Sequence, residues 1–300
     1  MKILVLKPHS LDSENYWSNL TKLGHQINLV QYDNRPHDKH YEIVDLIRQY
    51  KPDVAIYIGA HEASFGLPTI QPDNLCRIKD IVPLIHMCGD AGDEPWWDQL
   101  RLYDQRECFT VQVSIDGVWN TPIAEFKNGM VKLTPINADY FPAVPYGARS
   151  IFVGITGGVG HSERGQMMSH LKPLGFVQHI EKQPYTVMAG FMCNCKIIVN
   201  CPMRGSARGD QVKGRVLEAG WARSVLLERK NPHTMRWFVP GKDYIEYTDL
   251  NDLMKKFDWI RSFDDSTLSE VADNLHRKLV LNHHPKIFWH DVFKKAGLIQ

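Results

Sequence analysis

The chain has 300 residues, of which 43% are apolar and 23% charged, and 35 basic side chains nearly balance 34 acidic ones. This composition is typical of a globular protein, and the length predicts two domains. The small net charge disfavours a nucleic-acid partner, and no apolar run reaches the length of a membrane span. The N-terminus has no signal-peptide core, so we expect a cytoplasmic protein.

In the first half, short apolar runs alternate with segments whose apolar residues recur at helical spacing. The runs are apolar nearly throughout, as in parallel strands that are covered on both faces by helices. The pattern predicts a doubly wound, Rossmann-like α/β domain over residues 1–145. The predicted strands are 2–6, 27–30, 54–59, 83–87 and 109–114.

A proline-rich stretch, PINADYFPAVPYGARS, interrupts the periodicity, and we place a domain boundary in it near Pro145. A second Rossmann-like domain follows over 146–283, and residues 284–300 form a helical tail. Two such domains would face a central cleft, because open α/β sheets bind ligands at the carboxyl ends of their strands. The predicted strands of this half are 150–156, 176–181, 196–201 and 225–228, with a further strand before a helix at Leu250.

The first candidate site motif is GITGGVGHSERG, which follows a predicted strand and opens a helix. Gly157 and Gly158 would let backbone amides approach a phosphate at the helix N-terminus. The spacing matches neither GxGxxG nor the P-loop, so a tight strand-to-helix turn is the alternative.

The second candidate is the charged stretch RGDQVKGRVLEAGWARSVLLE, residues 208–228. A helix beginning near Asp210 or Gln211 would place Asp210 and Glu218 on one side, two turns apart. Acids that accept hydroxyl hydrogen bonds, beside cations that bind a diphosphate, are what a nucleotide sugar requires. A solvated amphipathic helix with surface ion pairs is the alternative. The surrounding basic residues are Arg204, Arg208, Lys213 and Arg215.

These motifs resemble a known family. Asp210, seven residues and then Glu218 are similar to the acidic-x7-Glu pattern of retaining glycosyltransferases with the B-type (GT-B) fold. KGRVLEAGWARSVLLE followed by FVPGKDYIEYTDLNDLMKKF looks more closely like the spore-maturation-protein-like (CgeB-type) glycosyltransferases. The second half carries this resemblance well, and the first half shares only the general topology.

The resemblance implies a GT-B-like fold whose second domain binds the nucleotide-sugar donor, whose first domain binds the acceptor, and whose tail crosses back. Glu218 would then hold the donor ribose, Arg215 and Lys213 would meet the diphosphate, and Asp210 would face the sugar. Gly157 and Gly158 would let their loop approach the phosphates. The sequence departs from the family at Ala222-Arg223, where Cys-Gly is usual, and Gly220 could serve a shifted turn.

A third candidate, HMCGDAGDEPWWDQL, follows the fourth predicted strand. Asp90 in this loop, or His61 after the third strand, could take the proton of an acceptor hydroxyl. Trp96 and Trp97 could stack on sugar rings. Asp93 can equally be the N-cap of the next helix.

We therefore predict a metal-independent glycosyltransferase without cofactor, using a UDP-, GDP- or dTDP-linked donor and a carbohydrate or other hydroxyl acceptor. The histidines of HDKH and NHHPKIFWH have no acidic or cysteine partners at ligand spacing, so we expect no metal. Two alternatives remain, a non-catalytic two-domain binding protein and a nucleotide-sugar epimerase. The sequence leaves open the donor, the acceptor and the stereochemistry, because Asp-x7-Glu favours retention and a base at Asp90 favours inversion.

Overall fold

The computed structural model describes residues 1–8, 14–32, 40–59, 69–160, 162–201 and 210–300. The chain divides into two compact units. Unit 1 comprises Met1–Asn137 with Pro285–Gln300, and unit 2 comprises Ala138–His284.

Unit 1 is built on a sheet of six parallel strands in the order β2-β1-β3-β4-β5-β6. Strands β3, β4 and β5 are buried along their whole length, which explains their unbroken apolar runs. The strands are β1 (Lys2–Lys7), β2 (Gln26–Gln31), β3 (Val54–Ile58), β4 (Leu84–Cys88), β5 (Val111–Ser114) and β6 (Gly129–Val131), and the helices are α1 (Glu14–Lys22), α2 (Tyr41–Tyr50), α3 (Pro72–Lys79) and α4 (Trp97–Gln105).

Unit 2 is built on a sheet of five parallel strands in the order β11-β10-β9-β7-β8. The strands are β7 (Ile151–Thr156), β8 (Val177–Ile180), β9 (Cys195–Asn200), β10 (Val225–Arg229) and β11 (Ile245–Tyr247). The helices are α5 (Ser162–Leu171), α6 (Tyr185–Cys193), α7 (Gly214–Trp221), α8 (Pro232–Trp237), α9 (Leu250–Arg261) and α10 (Asp265–Asn282).

Residues 138–145 belong to unit 2, although the proline-rich boundary was placed near Pro145. Aromatic contacts explain this membership, because the rings of Tyr140 and Phe141 lie 5.3 and 6.2 Å from that of Tyr185. The start of the unit is therefore decided by ring packing, which the proline pattern does not report.

The last helix, α11 (Pro285–Lys295), packs on unit 1. The indole Nε1 of Trp289 donates to Asn19 Oδ1, and Lys132 Nζ forms an ion pair with Asp291. Trp289 is among the largest fully buried side chains, so burial holds the tail in place.

The predicted fold class is confirmed: two doubly wound α/β units with a C-terminal helix that crosses back to the first. Two details differ. The short strand β6 was missed, and α7 begins at Gly214 instead of Asp210 or Gln211. In the described ranges, no helix is both long and apolar enough to cross a membrane.

Candidate functional site

The candidate site lies in unit 2, where the loop after β7 meets the first turn of α7. Gly157 follows β7 with φ of +96°, a conformation that favours glycine. A Cβ atom at Gly157 would lie 2.8 Å from Nη2 of Arg215. The missing side chain therefore leaves the space that the Arg215 guanidinium occupies, and the structure brings these two predicted residues together.

The backbone of this loop is largely engaged. Gly157 N donates to Ile180 O at 3.0 Å, and Val159 N donates to Glu181 Oε2 at 3.3 Å. We therefore interpret Gly157 as making room for a guanidinium, and not as a source of amide donors for a phosphate. At Gly158 an added Cβ would meet only Glu181 Oε2, at an ordinary 3.7 Å.

A second guanidinium reaches the same point. Nη1 of Arg164 lies 3.3 Å from the Cβ position of Gly157 and donates to Gly158 O at 2.9 Å. Burial and the charge of Arg215 lower the pKa of Arg164. Two cations so close together repel, and an anion bound at both would relieve the repulsion. Sequence reasoning missed Arg164. The helix dipole disfavours a cation in the first turn of a helix, so an arginine at this position could have indicated an anion-binding site.

Glu218 is the buried acid of the site, and 3% of its surface is exposed. Its Oε1 accepts a hydrogen bond from the Tyr185 hydroxyl at 2.9 Å, and its Oε2 accepts one from Arg215 Nη1 at 2.9 Å. A carboxylate offers about four acceptor positions, so two remain for other donors such as ribose hydroxyls. Nε of Arg215 is buried and makes no hydrogen bond.

Asp210 does not share a helical face with Glu218, contrary to the prediction, because it precedes α7. Its Oδ1 instead pairs with Nη2 of Arg229, at the end of β10, at 2.6 Å. Lys213 is the N-cap of α7, with extended backbone angles. Arg204 and Arg208 lie outside the described residues.

Behind the Asp210–Arg229 pair lies a second buried carboxyl group, Glu228, which is fully buried. Its oxygens accept hydrogen bonds from Asn200 Nδ2 at 2.7 Å, Thr234 Oγ1 at 3.1 Å and Asn231 Nδ2 at 3.3 Å. Burial among these neutral donors raises the pKa of Glu228 to about 8.

Asn231 extends this network toward α7. Its Nδ2 also donates to Gln211 O at 3.0 Å, and its Oδ1 accepts from His233 N as the N-cap of α8. The network thus fastens the segment before α7 to the end of β10. Sequence reasoning missed it, because the glutamate of an apolar run such as SVLLE carries no periodic signal.

A cavity of about 300 Å³ opens beside Arg229, at the carboxyl ends of β9, β10 and β11. Cys201, Tyr247 and Leu250 contribute to its wall. It lies at the sheet edge where open α/β sheets bind ligands. Across the described parts of the chain, no three His, Cys, Asp or Glu side chains gather as a possible metal site.

The turn after α7 is formed differently from the expectation. Arg223 itself adopts φ of +52°, so the positive-φ position stays where the related pattern has glycine. Gly220 serves close packing instead of a turn, because a Cβ there would lie 2.5 Å from Leu279 Cδ1 of α10.

The PGKDY motif is a turn that leads into β11. Gly241 has φ of +77° and donates its N–H to Tyr244 O at 2.7 Å. Asp243 is buried, and its Oδ2 accepts from Val239 N at 2.8 Å and from Lys278 Nζ at 3.1 Å. The motif therefore has a structural role here.

In unit 1, Asp90 is partly exposed at the carboxyl end of β4, with φ of +52°. His86, which lies within β4, is a core residue, since it is buried and its ring stacks on Phe109 at 4.6 Å. Trp96 is also buried, which removes its face as a platform for a sugar. His61 lies outside the described residues, so the structure leaves its prediction as it stands.

Comparisons with known proteins bear on the family and the fold. Residues 156–287, which include Gly157, Arg215 and Glu218, match the glycosyl transferase-like family model. No curated protein matches the sequence. Three solved structures illustrate the likeness of the fold.

HepE of Anabaena, in complex with UDP and glucose, matches with a TM-score of 0.64 at 12% identity over 100% of both chains. An α-glucosyltransferase, in complex with UDP and DNA, matches with a TM-score of 0.70 at 12% identity over 99% of both chains. Sucrose-phosphate synthase of Thermosynechococcus elongatus matches with a TM-score of 0.61 at 11% identity over 99% of this chain and 97% of its own. The chain therefore has the GT-B glycosyltransferase fold, and its second unit matches the glycosyl transferase-like model.

Proposed function

We propose that the protein is a glycosyltransferase that moves a sugar from a nucleoside-diphosphate sugar, bound by unit 2, to a hydroxyl acceptor, bound by unit 1. One observation carries the proposal: the guanidinium groups of Arg164 and Arg215 converge on Gly157, with the buried Glu218 beside them. Guanidinium groups match the planar, bidentate geometry of phosphate oxygens.

In this proposal each side chain has a separate task. Arg215 and Arg164 bind the diphosphate and stabilise the charge that develops on it as the glycosidic bond breaks. Lys213 and Arg204 are proposed from the sequence as further donor-binding cations. Glu218 accepts hydrogen bonds from the ribose diol through its two remaining positions. These cations would make a resident metal unnecessary, and the enzyme is proposed to need no cofactor.

Asp90 is proposed as the base that takes the proton of the acceptor hydroxyl, with His61 as the alternative. A carboxylate at the open end of a parallel strand is accessible to a substrate, and Asp90 is partly exposed there. Asp210, fixed by Arg229, would face the transferred sugar.

A UDP-linked donor is proposed first, because HepE of Anabaena and the α-glucosyltransferase are described in complex with UDP. GDP- and dTDP-linked sugars are the alternatives. Within the glycosyltransferases, the KGRVLEAG and FVPGKDY motifs support the CgeB-type family, and a cytoplasmic location is proposed from the sequence.

The test is isothermal titration of the purified chain with UDP, GDP and dTDP, and then with the matching nucleotide sugars. We expect one nucleoside diphosphate to bind and Glu218→Gln to weaken it, while Glu270→Gln, an exposed acid of α10, leaves it unchanged. If none of the three binds the unsubstituted chain, the proposal is wrong.

Turnover then separates transfer from the two alternatives. A transferase releases the nucleoside diphosphate faster when a hydroxyl acceptor is added, an epimerase alters the sugar without acceptor, and a binding protein does neither. Asp90→Asn should lower the transfer rate by roughly 100-fold or more while nucleotide binding is kept. The anomeric configuration of the product, read by NMR, decides between retention and inversion.

A further inference from the structure

Unit 1 holds two cysteines whose sulfur atoms are in contact. Cys76 lies in α3, and Cys108 lies on the turn before β5. Their Sγ atoms are 3.0 Å apart, which is about 1 Å longer than a disulfide bond. None of the six cysteines of the chain, all of which lie in the described ranges, is in a disulfide bond; Cys76 is partly exposed, whereas the other five are buried.

The two segments are already fixed against each other. Arg106 forms an ion pair with Asp73 of α3, and Glu107 pairs with Lys79 at 3.8 Å. On α3 their partners, Asp73 and Lys79, lie on either side of Cys76, and on the other segment both ion pairs come directly before Cys108, so the contact between the sulfurs does not depend on a single flexible side chain.

The thiols also hydrogen-bond across this junction. Cys76 Sγ donates to Arg106 O at 3.5 Å, and Cys108 Sγ donates to Pro72 O at 3.7 Å. Each sulfur is thereby directed into the space between α3 and the turn, where it meets the other. A bond between them requires a shift of about 1 Å, within the reach of side-chain rotation.

We propose that Cys76 and Cys108 form an oxidation site that reacts with peroxides to give an intramolecular disulfide bond. In the first step, the Cys76 sulfur attacks a peroxide oxygen, the O–O bond breaks, and a sulfenic acid and water (or an alcohol) form. In the second step, the Cys108 sulfur attacks the sulfenic sulfur, the S–O bond breaks and water leaves. The two thiols lose two electrons, and the peroxide accepts them.

Exposure assigns the order of these steps. A peroxide reaches Cys76 because that side chain is partly exposed, whereas Cys108 is buried. Burial and the neighbouring Cys76 raise the pKa of the Cys108 thiol, which disfavours the thiolate that the first attack on the peroxide needs. The bond would join α3 to the start of β5 and raise the melting temperature of the oxidised protein by several degrees.

The experiment uses the full chain, reduced, desalted and treated with hydrogen peroxide. Thiols are counted under denaturing conditions, and disulfide-linked tryptic peptides are identified by mass spectrometry. We expect the count to fall from six to four, with the linked peptides containing Cys76 and Cys108. Retention of all six thiols, a bond between other cysteines, or a bond between two chains overturns the proposal.

Two variants make the result specific. In Cys108→Ser, peroxide should leave a sulfenic acid at Cys76 that dimedone traps, with no disulfide. Cys88→Ser removes another buried thiol of unit 1 and should still form the Cys76–Cys108 bond, its count falling from about five to about three. A Cys108→Ser protein in which dimedone marks a different cysteine contradicts the proposed order. Melting curves of the reduced variants establish that each is folded, and none of these readouts requires nucleotide binding.

Discussion

Glu218 and Glu228 are two buried carboxyl groups of unit 2 that the fold treats in opposite ways. Glu218 faces the Arg215 guanidinium and the Tyr185 hydroxyl, whereas Glu228 faces two amides and a hydroxyl. A buried carboxylate is costly unless a cation or several donors compensate its charge. Glu218 has the cation, whereas Glu228 has only neutral donors. Burial raises the pKa of Glu228 to about 8 and the charge of Asp210 adds to this, although the three donors act in the opposite direction.

The partners of the two carboxyl groups show that Glu218 belongs to the candidate ligand site and that Glu228 stabilises the fold around it. Arg215 keeps an unused Nε donor and a neighbouring guanidinium, so the charges around Glu218 suit an anionic ligand. The donors around Glu228 are used within the fold, where Asn231 fastens Gln211 and the segment before α7. Burial alone would rank both acids equally as candidates, and the partners distinguish them.

The largest expected effect, on nucleotide binding and on stability, comes from removing Arg215, the cation that pairs with Glu218. Arg215→Gln should lower the affinity for the nucleoside diphosphate by at least roughly 100-fold, because charge-assisted hydrogen bonds to the diphosphate are lost. It should also lower the free energy of unfolding by about 3–5 kcal/mol, since Glu218 stays buried without its ion pair. Titration calorimetry and urea unfolding measure the two effects.

Arg277→Gln, at an exposed position of α10, is the matched control and should change neither quantity. If Arg215→Gln binds the nucleoside diphosphate as tightly as the unsubstituted chain, Glu218 and its cation do not form the ligand site, and nothing functional distinguishes Glu218 from Glu228.

The next largest effect is on the pH dependence of stability, to which Glu228 contributes. The pKa of Glu228 is raised from 4.5 in the unfolded chain to about 8 in the folded one. The folded protein therefore keeps a proton that the unfolded chain has released, and this group's contribution to stability falls as pH rises from about 4.5 to about 8. The loss is on the order of a few kcal/mol.

Glu228→Gln should flatten this part of the pH profile, as measured by urea unfolding between about pH 5 and 9. Equal slopes in the unsubstituted chain and Glu228→Gln would show that Glu228 is ionised in the fold.

The same comparison shows what the sequence can predict. Strand periodicity was sufficient for every strand of the two sheets except β6, because buried parallel strands are apolar along their whole length and the short β6 is not. The ends of elements were harder. Lys213 is the N-cap of α7, and the helix does not begin near Asp210, because the backbone before it is held by Arg229 and Asn231, which are distant in sequence.

The site was predictable in part. Local sequence patterns predicted Gly157, Arg215 and Glu218, each as a separate candidate. The direct contact between Gly157 and Arg215 was not predicted, because it joins residues 58 positions apart through a missing Cβ. The partners of Glu228 come from β9 and from the N-cap and first turn of α8, and a single sequence does not reveal which of its asparagines face the same carboxyl group.

A smaller effect is expected when the space that the Arg215 guanidinium occupies beside Gly157 is filled by a methyl group. In Gly157→Ala the new Cβ would lie 2.8 Å from Arg215 Nη2, on a backbone with φ of +96°. The strain should cost about 1–2 kcal/mol of stability, and displacement of Arg215 should weaken nucleotide binding roughly tenfold. Gly158→Ala is a close control, because its nearest neighbour would be at 3.7 Å. If both alanine variants bind equally well, Gly157 does not position Arg215.

The smallest effect lies at the other end of α7, at Arg223. Its φ of +52° is unfavourable for any residue except glycine, and its ion pair with Asp273 is long, at 3.9 Å, and exposed. Arg223→Gly should therefore raise the free energy of unfolding by up to about 1 kcal/mol, whereas Arg223→Ala keeps the strained backbone and should not. Neither change should alter nucleotide binding, since Arg215 and Glu218 keep their partners. If Arg223→Gly destabilises the chain as much as Arg223→Ala does, the side chain and not the backbone decides this turn, and weakened binding in either variant would extend the site to this end of α7.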